Sequence, residues 1–392
     1  MDCFPSQEPK LKGKVIIPVC APDIGARERR YLLAAFDSSW ISASGDFVKR
    51  FEDAFAKAVS KTRWAVAVNS GTSALHVALA ALGLGPGAEV ILPTFTMIAT
   101  INAVTYCGAT PVLVDAHPET WNMDASKIEK KITKKTKAII AVHTYGMPCD
   151  MDRIMAIAGK YKLFVVEDAS EAHGAEIKRR RVGGIGDVGA FSLYANKLVT
   201  TGEGGIVTTN DPGVANRARL LRNHAFSPDR HFWHKEIGFG YKMTNLQAAV
   251  GLGQVERFDQ LFAKKQAVAA SYRTGFSGIT GLTLPPECLN YTNTHWMFGI
   301  LVDRKKFPMD KNELRKHLAA QGIETRSFFV PILVQPVYQH LFKDEVYPAA
   351  ETLCRDGLYL PSSTTLIKKD IERVVRAIQK SHKATKSHHE NY

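Results

Sequence analysis

The chain has 392 residues, 45% of them hydrophobic and 23% charged, with a formal net charge of +13 at pH 7. That length exceeds what one core fills, so a large domain with a smaller companion is expected, and no apolar run approaches the ~20 residues a membrane helix needs. The basic excess falls in separate clusters ("KIEKKITKKTK" at 127–137, "IKRRRVGG" at 177–184, the tail "KSHKATKSHHENY"), not on one face with interleaved aromatics; this argues against nucleic-acid binding and for an anionic small substrate.

The six cysteines (Cys3, Cys20, Cys107, Cys149, Cys288, Cys354) form no Cys-x-x-Cys pair. The pattern argues against a zinc site and a disulfide framework and fits a reducing cytoplasm. The opening "MDCFPSQEPKLKGK" has no apolar core, so secretion is not expected.

From about residue 64, β-rich runs alternate with helical ones. "RWAVAV", "AEVILP", "TPVLVDA", "KAIIAVH" and "LFVVEDA" read as strands. "SALHVALAALGL", "TMIATINAVTYCG", the stretch near "DASKIEKKI" and "MDRIMAIAGKYK" read as helices. The alternation predicts an α/β domain with a large, mainly parallel sheet flanked by helices, its ligands beyond the carboxyl ends of the strands. "TNLQAAVGLGQVERFDQLFAKKQAVAASYRTGF" reads as one long amphipathic helix. After it, "HWMFGILVD" reads as a strand, and "KNELRKHLAAQG" and "KKDIERVVRAIQK" as helices of a smaller C-terminal α/β domain. The predicted division is an extension at 1–15, a large domain at 16–262, a small domain at 263–381 and a basic tail at 382–392.

Three segments carry chemistry. In "VNSGTSALHVAL" a strand ends at Val68 and a helix begins near Thr72, so the free N–H groups of its first turn offer an anion site, or else Ser70 or Thr72 merely caps the helix. "ALGLGPG" at 81–87 follows a helix, not a strand, and reads as a turn, which removes the best support for a dinucleotide-binding fold. "LFVVEDASEAHGA" ends a strand with Glu167 and Asp168; the carboxylate either points into the ligand crevice, where it needs a cationic or hydrogen-bonding partner, or only caps the next turn. His173 reads as a core or turn histidine. In "FSLYANKLVTTGEGG", Ser192 and Lys197 flank a strand end; either Lys197 is a solvated strand-end lysine, or its apolar neighbours desolvate it, lowering its pKa and favouring Schiff-base chemistry. A phosphate-binding helix start, an Asp for a pyridine nitrogen and a Ser-x4-Lys for phosphate and aldehyde, in that order, are the demands of pyridoxal phosphate (PLP).

With these pieces in place the chain resembles the DegT-like sugar aminotransferases, PLP enzymes of fold type I (aspartate aminotransferase-like), over about residues 16–380. The resemblance rests on "SSWISASGDFVKRFEDAFA", "VNSGTSALHVALAALGLGPGAEVILPTFT", "VEDASEAHGAEI", "GDVGAFSLYANKLVTTGEGGIVTTND" and "GYKMTNLQAAVGLGQVERFD". "EDASEA", the "NK" of the lysine segment, "ETRSFFVP" and "YLPS" resemble the perosamine-synthase branch, which aminates C4 of a GDP-linked 4-keto-6-deoxy sugar. The resemblance implies that Lys197 carries PLP and that Asp168 pairs with the pyridine nitrogen. It implies Gly71, Thr72 and Ser192 at the phosphate, Glu171 near the ring hydroxyl, and Ala169 or Ser170 against a ring face. Arg326 is implied as a diphosphate contact; His317 is a candidate for substrate without motif support. L-glutamate as amino donor and a homodimer with an interfacial active site are implied too.

Two positions depart from the family pattern. Met97 stands where an aromatic usually stacks on the ring; its polarisable thioether can cover that face less rigidly. Gly240 replaces an Asn that reaches the neighbouring subunit's cofactor, and Lys242 is the candidate to compensate. Alternatives are a UDP- or dTDP-linked keto sugar as substrate, a PLP dehydratase (disfavoured because Lys197 is present) and a non-catalytic paralogue that binds or senses.

Overall fold

The computed structural model describes residues 16–227, 229–230 and 232–383. The extension predicted at 1–15 and residues 384–392 of the basic tail lie outside them. In chain order the elements are α1 (Ala26–Asp37), α2 (Asp46–Phe55), β1 (Trp64–Val68), α3 (Gly71–Ala81), β2 (Glu89–Pro93), α4 (Ala99–Tyr106), β3 (Thr110–Val114), β4 (Thr136–Val142), α5 (Met151–Tyr161), β5 (Phe164–Asp168), β6 (Glu176–Ile177), β7 (Arg180–Arg181), β8 (Val188–Ser192), β9 (Gly205–Thr209), α6 (Pro212–Leu221), α7 (Asn245–Val255), α8 (Phe258–Phe276), β10 (Leu282–Thr283), β11 (Tyr291–Thr292), β12 (Phe298–Val302), α9 (Lys311–Ala320), β13 (Arg326–Ser327), α10 (Pro348–Asp356), β14 (Gly357–Leu360) and α11 (Lys368–Lys383).

Seven strands form the main sheet in the order β1-β9-β8-β5-β4-β2-β3. β3, β2, β4, β5 and β8 run parallel, while β9 is antiparallel to both β8 and β1. The central strands are near-continuous apolar runs because helices cover both faces. A smaller antiparallel sheet, β10-β12-β14-β13, follows α8, and its core gathers Phe298, Ile300 and Leu358 with Tyr272 and Phe276 of α8.

Two predicted elements differ. "DASKIEKKI" forms two short 3-10 turns, Ala125–Lys127 and Glu129–Lys131, instead of a helix. The Asp124 side chain accepts the Ser126 N–H, and Lys127 is drawn to Asp115 at 3.1 Å, so local and tertiary partners outcompete a short helix crowded with like charges. The single long helix breaks between α7 and α8, where Arg257 leaves helical geometry (φ −108°, ψ 8°). There its guanidinium binds Asp23 at 2.5 Å and Glu28 at 3.1 Å.

Sheet register sets the site. Val142, Asp168 and Ala190 lie side by side at the carboxyl ends of β4, β5 and β8. On the far side, Gly205 pairs with both Ser192 and Val68, which brings the start of α3 to the end of β8. A Cβ at Gly205 would collide with the Ser70 carbonyl oxygen, so this approach requires glycine.

Candidate active site

A cavity of about 440 Å³ opens at those strand ends. It brings together Gly71, Thr72, Met97, Asp168, Glu171, Ser192, Lys197 and Arg326 from the sequence-predicted set. Lys242 is exposed and bridges Val68 beside the start of α3; it is not among the lining residues. His317 contacts Gln321 in the last turn of α9 and does not line the cavity either.

Ser70 is the cap of α3: its hydroxyl accepts the Ser73 N–H at 3.1 Å. Capping therefore leaves the Thr72 hydroxyl to the cavity. Gly71 lies so close to β8 that a Cβ there would come within 2.7 Å of the Ser192 Cβ. Helix start and serine thus form one cradle of N–H and hydroxyl donors, a geometry suited to a phosphate.

The two adjacent carboxylates of β5 separate because alternate strand residues face opposite sides. Glu167 points away from the cavity and accepts N–H groups of Gly183, Ile185 and Gly186 at 2.7–2.8 Å, with His143 Nε2 at 3.1 Å. Asp168 faces the cavity; its Oδ2 accepts the Thr100 hydroxyl at 2.8 Å and its Oδ1 the Ser170 N–H at 3.2 Å. Thr96, which lines the cavity, meets Thr100 hydroxyl to hydroxyl at 3.2 Å.

Lys197 lies with its Nζ 3.7 Å from the centre of the Trp296 indole. Burial holds the amine below the ordinary lysine pKa, with Glu171 and Asp168 opposing that shift. Burial conversely pushes the Glu171 carboxyl up to about 7, against the pull of Lys197 and of the Tyr145 N–H, which donates to it at 2.7 Å. An amine whose pKa is lowered, beside a carboxyl whose pKa is raised, is equipped for nucleophilic attack and proton transfer.

Sequence reasoning missed Trp296, Thr100, Tyr145 and Asn196. Trp296 Nε1 donates to the Asn196 carbonyl at 2.8 Å, and Cys20 Sγ reaches the same oxygen at 3.5 Å, so the segment before Lys197 is held from two sides. Trp296 lies 99 positions after Lys197 with no motif around it. Thr100 had one usable signal, since it falls on the first turn of a helix predicted to follow a strand at the site's edge.

The cradle, the cavity-facing carboxylate and the desolvated lysine, in an α/β frame with a mainly parallel sheet, define a PLP-dependent transferase of fold type I. Residues 22–379 match the model of the DegT/DnrJ/EryC1/StrS aminotransferase family, and the chain belongs to that family. The chain is 44% identical to a GDP-perosamine synthase of Caulobacter vibrioides, over 92% of this chain and 97% of that protein. It is 41% identical to a GDP-perosamine synthase of Escherichia coli O157:H7, again over 92% and 97%. Among solved structures, S. venezuelae DesV in complex with a ketimine intermediate is similar at a TM-score of 0.85 and 36% identity, covering 91% of this chain and 94% of that one.

The protein is a PLP-dependent aminotransferase of nucleotide-linked sugars. Its residues fit the cofactor: Gly71, Thr72 and Ser192 bring anion donors to the same cavity as the Lys197 amine and the Asp168 carboxylate, and Gly71 admits no side chain. Among the described residues, no helix is long and apolar enough to cross a membrane.

Proposed function

We propose that the protein moves the amino group of L-glutamate to C4 of a GDP-linked 4-keto-6-deoxy sugar, converting GDP-4-keto-6-deoxymannose to GDP-perosamine. The donor leaves as 2-oxoglutarate, and the sugar C=O becomes CH–NH2. The observation that carries the reading is the convergence of Lys197, Asp168 and Ser192 on one cavity, in a chain more than 40% identical to two GDP-perosamine synthases. PLP, when bound, supplies an aldehyde that accepts the amino group and a pyridinium that draws off electrons when the donor's Cα–H breaks.

In this proposal Gly71, Thr72 and Ser192 hold the phosphate, and Asp168, fixed by Thr100, holds the proton of the ring nitrogen. Glu171 faces the ring hydroxyl, and Met97 covers a ring face. Lys197 would hold the aldehyde, and its amine, with its pKa lowered by burial, would take the proton from the donor's Cα and return it. Arg326, more than half exposed at the mouth, meets the diphosphate, and its contact with Glu324 at 3.3 Å keeps the guanidinium oriented.

The small domain, proposed to begin near residue 263, delivers Arg326 and Trp296 to a cofactor domain over 16–262. We further propose a homodimer with the site at its interface, and Lys242 on the path to the partner's cofactor. The exposed Leu33, Phe36, Trp40 and Ile41 on and just after α1 support such an interface. The free thiols Cys20, Cys107, Cys149, Cys288 and Cys354 are consistent with action in the cytoplasm.

The test is a coupled assay with L-glutamate against GDP-, UDP- and dTDP-linked 4-keto-6-deoxy sugars. The GDP sugar is expected to be aminated fastest; no turnover with any of the three would refute the proposal. A second reading, a dTDP-linked substrate, draws support from 38% identity over 86% of the chain to a dTDP-3-amino-3,4,6-trideoxy-alpha-D-glucose transaminase of Streptomyces venezuelae.

A further inference from the structure

The segment from Ser192 to Val199 must present a hydroxyl for the phosphate and an amine for the aldehyde at a fixed separation. Local contacts hold its first residues: the Tyr194 N–H donates to Ser192 Oγ at 3.3 Å, Leu193 bonds to Gly204 and Thr201, and the Lys197 N–H donates to the Tyr194 carbonyl at 2.9 Å. A buried imidazole ties the two ends together. His173 Nε2 lies 3.0 Å from the Ser192 carbonyl oxygen, and its Nδ1 lies 3.1 Å from the Val199 nitrogen. Since a backbone N–H only donates, Nδ1 must be the acceptor; Nε2 then carries the hydrogen and donates to Ser192.

The ring cannot swing. Phe55 meets it edge-on at 6.1 Å and Phe191 packs at 5.5 Å, and the His173 carbonyl accepts the Thr294 hydroxyl at 3.0 Å. Only 1% of the residue is exposed, and it does not line the cavity. Burial, with the charge of Lys197 adding to it, pushes the imidazole pKa down to about 3, so the acceptor at Nδ1 persists at working pH.

Resting on the PLP reading of the site, we propose that His173 is a positioning residue: by bridging Ser192 and Val199 it sets the span between the Ser192 hydroxyl and the Lys197 amine to that of a phosphorylated aldehyde. It touches neither cofactor nor substrate and acts through the segment it closes. His173→Phe keeps the ring volume and removes both hydrogen bonds. His173→Gln restores a donor toward Ser192, and His173→Asn an acceptor toward Val199.

The experiment uses the full chain and two probes. Pyridoxine 5'-phosphate, which lacks the aldehyde, reads the phosphate end alone; PLP with borohydride trapping reads the covalent link to Lys197. In His173→Phe, pyridoxine phosphate affinity is expected to change by no more than about threefold. The trapped fraction at limiting PLP is expected to fall roughly tenfold or more, the order expected from two lost hydrogen bonds. His173→Gln and His173→Asn recover part of that loss, and they carry the test if the Phe variant does not fold. Trapping by His173→Phe equal to wild type, or an equal fall with both probes, would overturn the inference. A wild type that traps no PLP would instead defeat the reading of the site itself.

Discussion

Thr100→Val removes one hydroxyl from a fully buried position and leaves the shape almost unchanged. In the native protein that hydroxyl donates to Asp168 Oδ2 at 2.8 Å, and among the described residues the Ser170 N–H at 3.2 Å is the other donor to the carboxylate. The variant opens no cavity, so packing contributes little. Loss of a hydrogen bond to a buried charged acceptor costs about 1.5–3 kcal/mol. If the carboxylate's hold on the pyridine nitrogen weakens by the same amount in the transition state, the half-reaction with L-glutamate slows roughly 10–100-fold.

Two measurements separate the parts: urea denaturation of the cofactor-free protein, and single-turnover loss of the PLP absorption band on adding glutamate. Thr100→Ser keeps the donor and is expected to retain most of the rate. A Thr100→Val protein with wild-type turnover would show that Asp168 does not depend on this contact, and the assigned role of Thr100 would fall.

Other expectations test different links. Gly205→Ala presses a methyl on the Ser70 carbonyl and prises α3 from Ser192; PLP affinity should drop roughly tenfold or more, read by equilibrium titration. Lys265, 3% exposed with its amine on the Ser362 carbonyl, has its pKa lowered by burial to about 8 from the usual 10.5. The unfolded chain then binds more protons between those values, so this group adds stability as pH rises from 8 to 10.5, worth about 3 kcal/mol in all. The difference between wild type and Lys265→Met in denaturation midpoints across that range should show this slope, and parallel curves would count against the assignment. Trp296→Phe keeps a ring over Lys197 but loses the donor to Asn196; a loss of about 1 kcal/mol in stability is expected by thermal or urea denaturation.

Much of the frame was legible because its signals are local. Apolar runs bounded by turn residues marked the strands, and the serine-rich start of α3 marked a capped helix end. Where tertiary partners decide, the reading failed. Arg257 breaks the long helix because Asp23 and Glu28, more than two hundred residues earlier, capture its guanidinium. The stretch at 125–131 loses its helix to Asp115 and an Asp124 cap.

The site divides the same way. Lys197, Asp168 and Ser192 stand at strand ends whose chemistry is visible in sequence, whereas Thr100 and Trp296 have ordinary residue types and gain meaning only from what the fold brings beside them. His173 read as a core or turn histidine, and it is buried. Only the geometry reveals that it spans the lysine segment.

One cavity, lined by Lys197, is assigned to PLP. Loading the purified protein with PLP, reducing with borohydride and mapping the modified peptide by mass spectrometry tests this most directly. The phosphopyridoxyl mass is expected on the peptide containing Lys197 and is expected to disappear in Lys197→Ala. Modification of a different lysine, or none at all, would contradict that assignment.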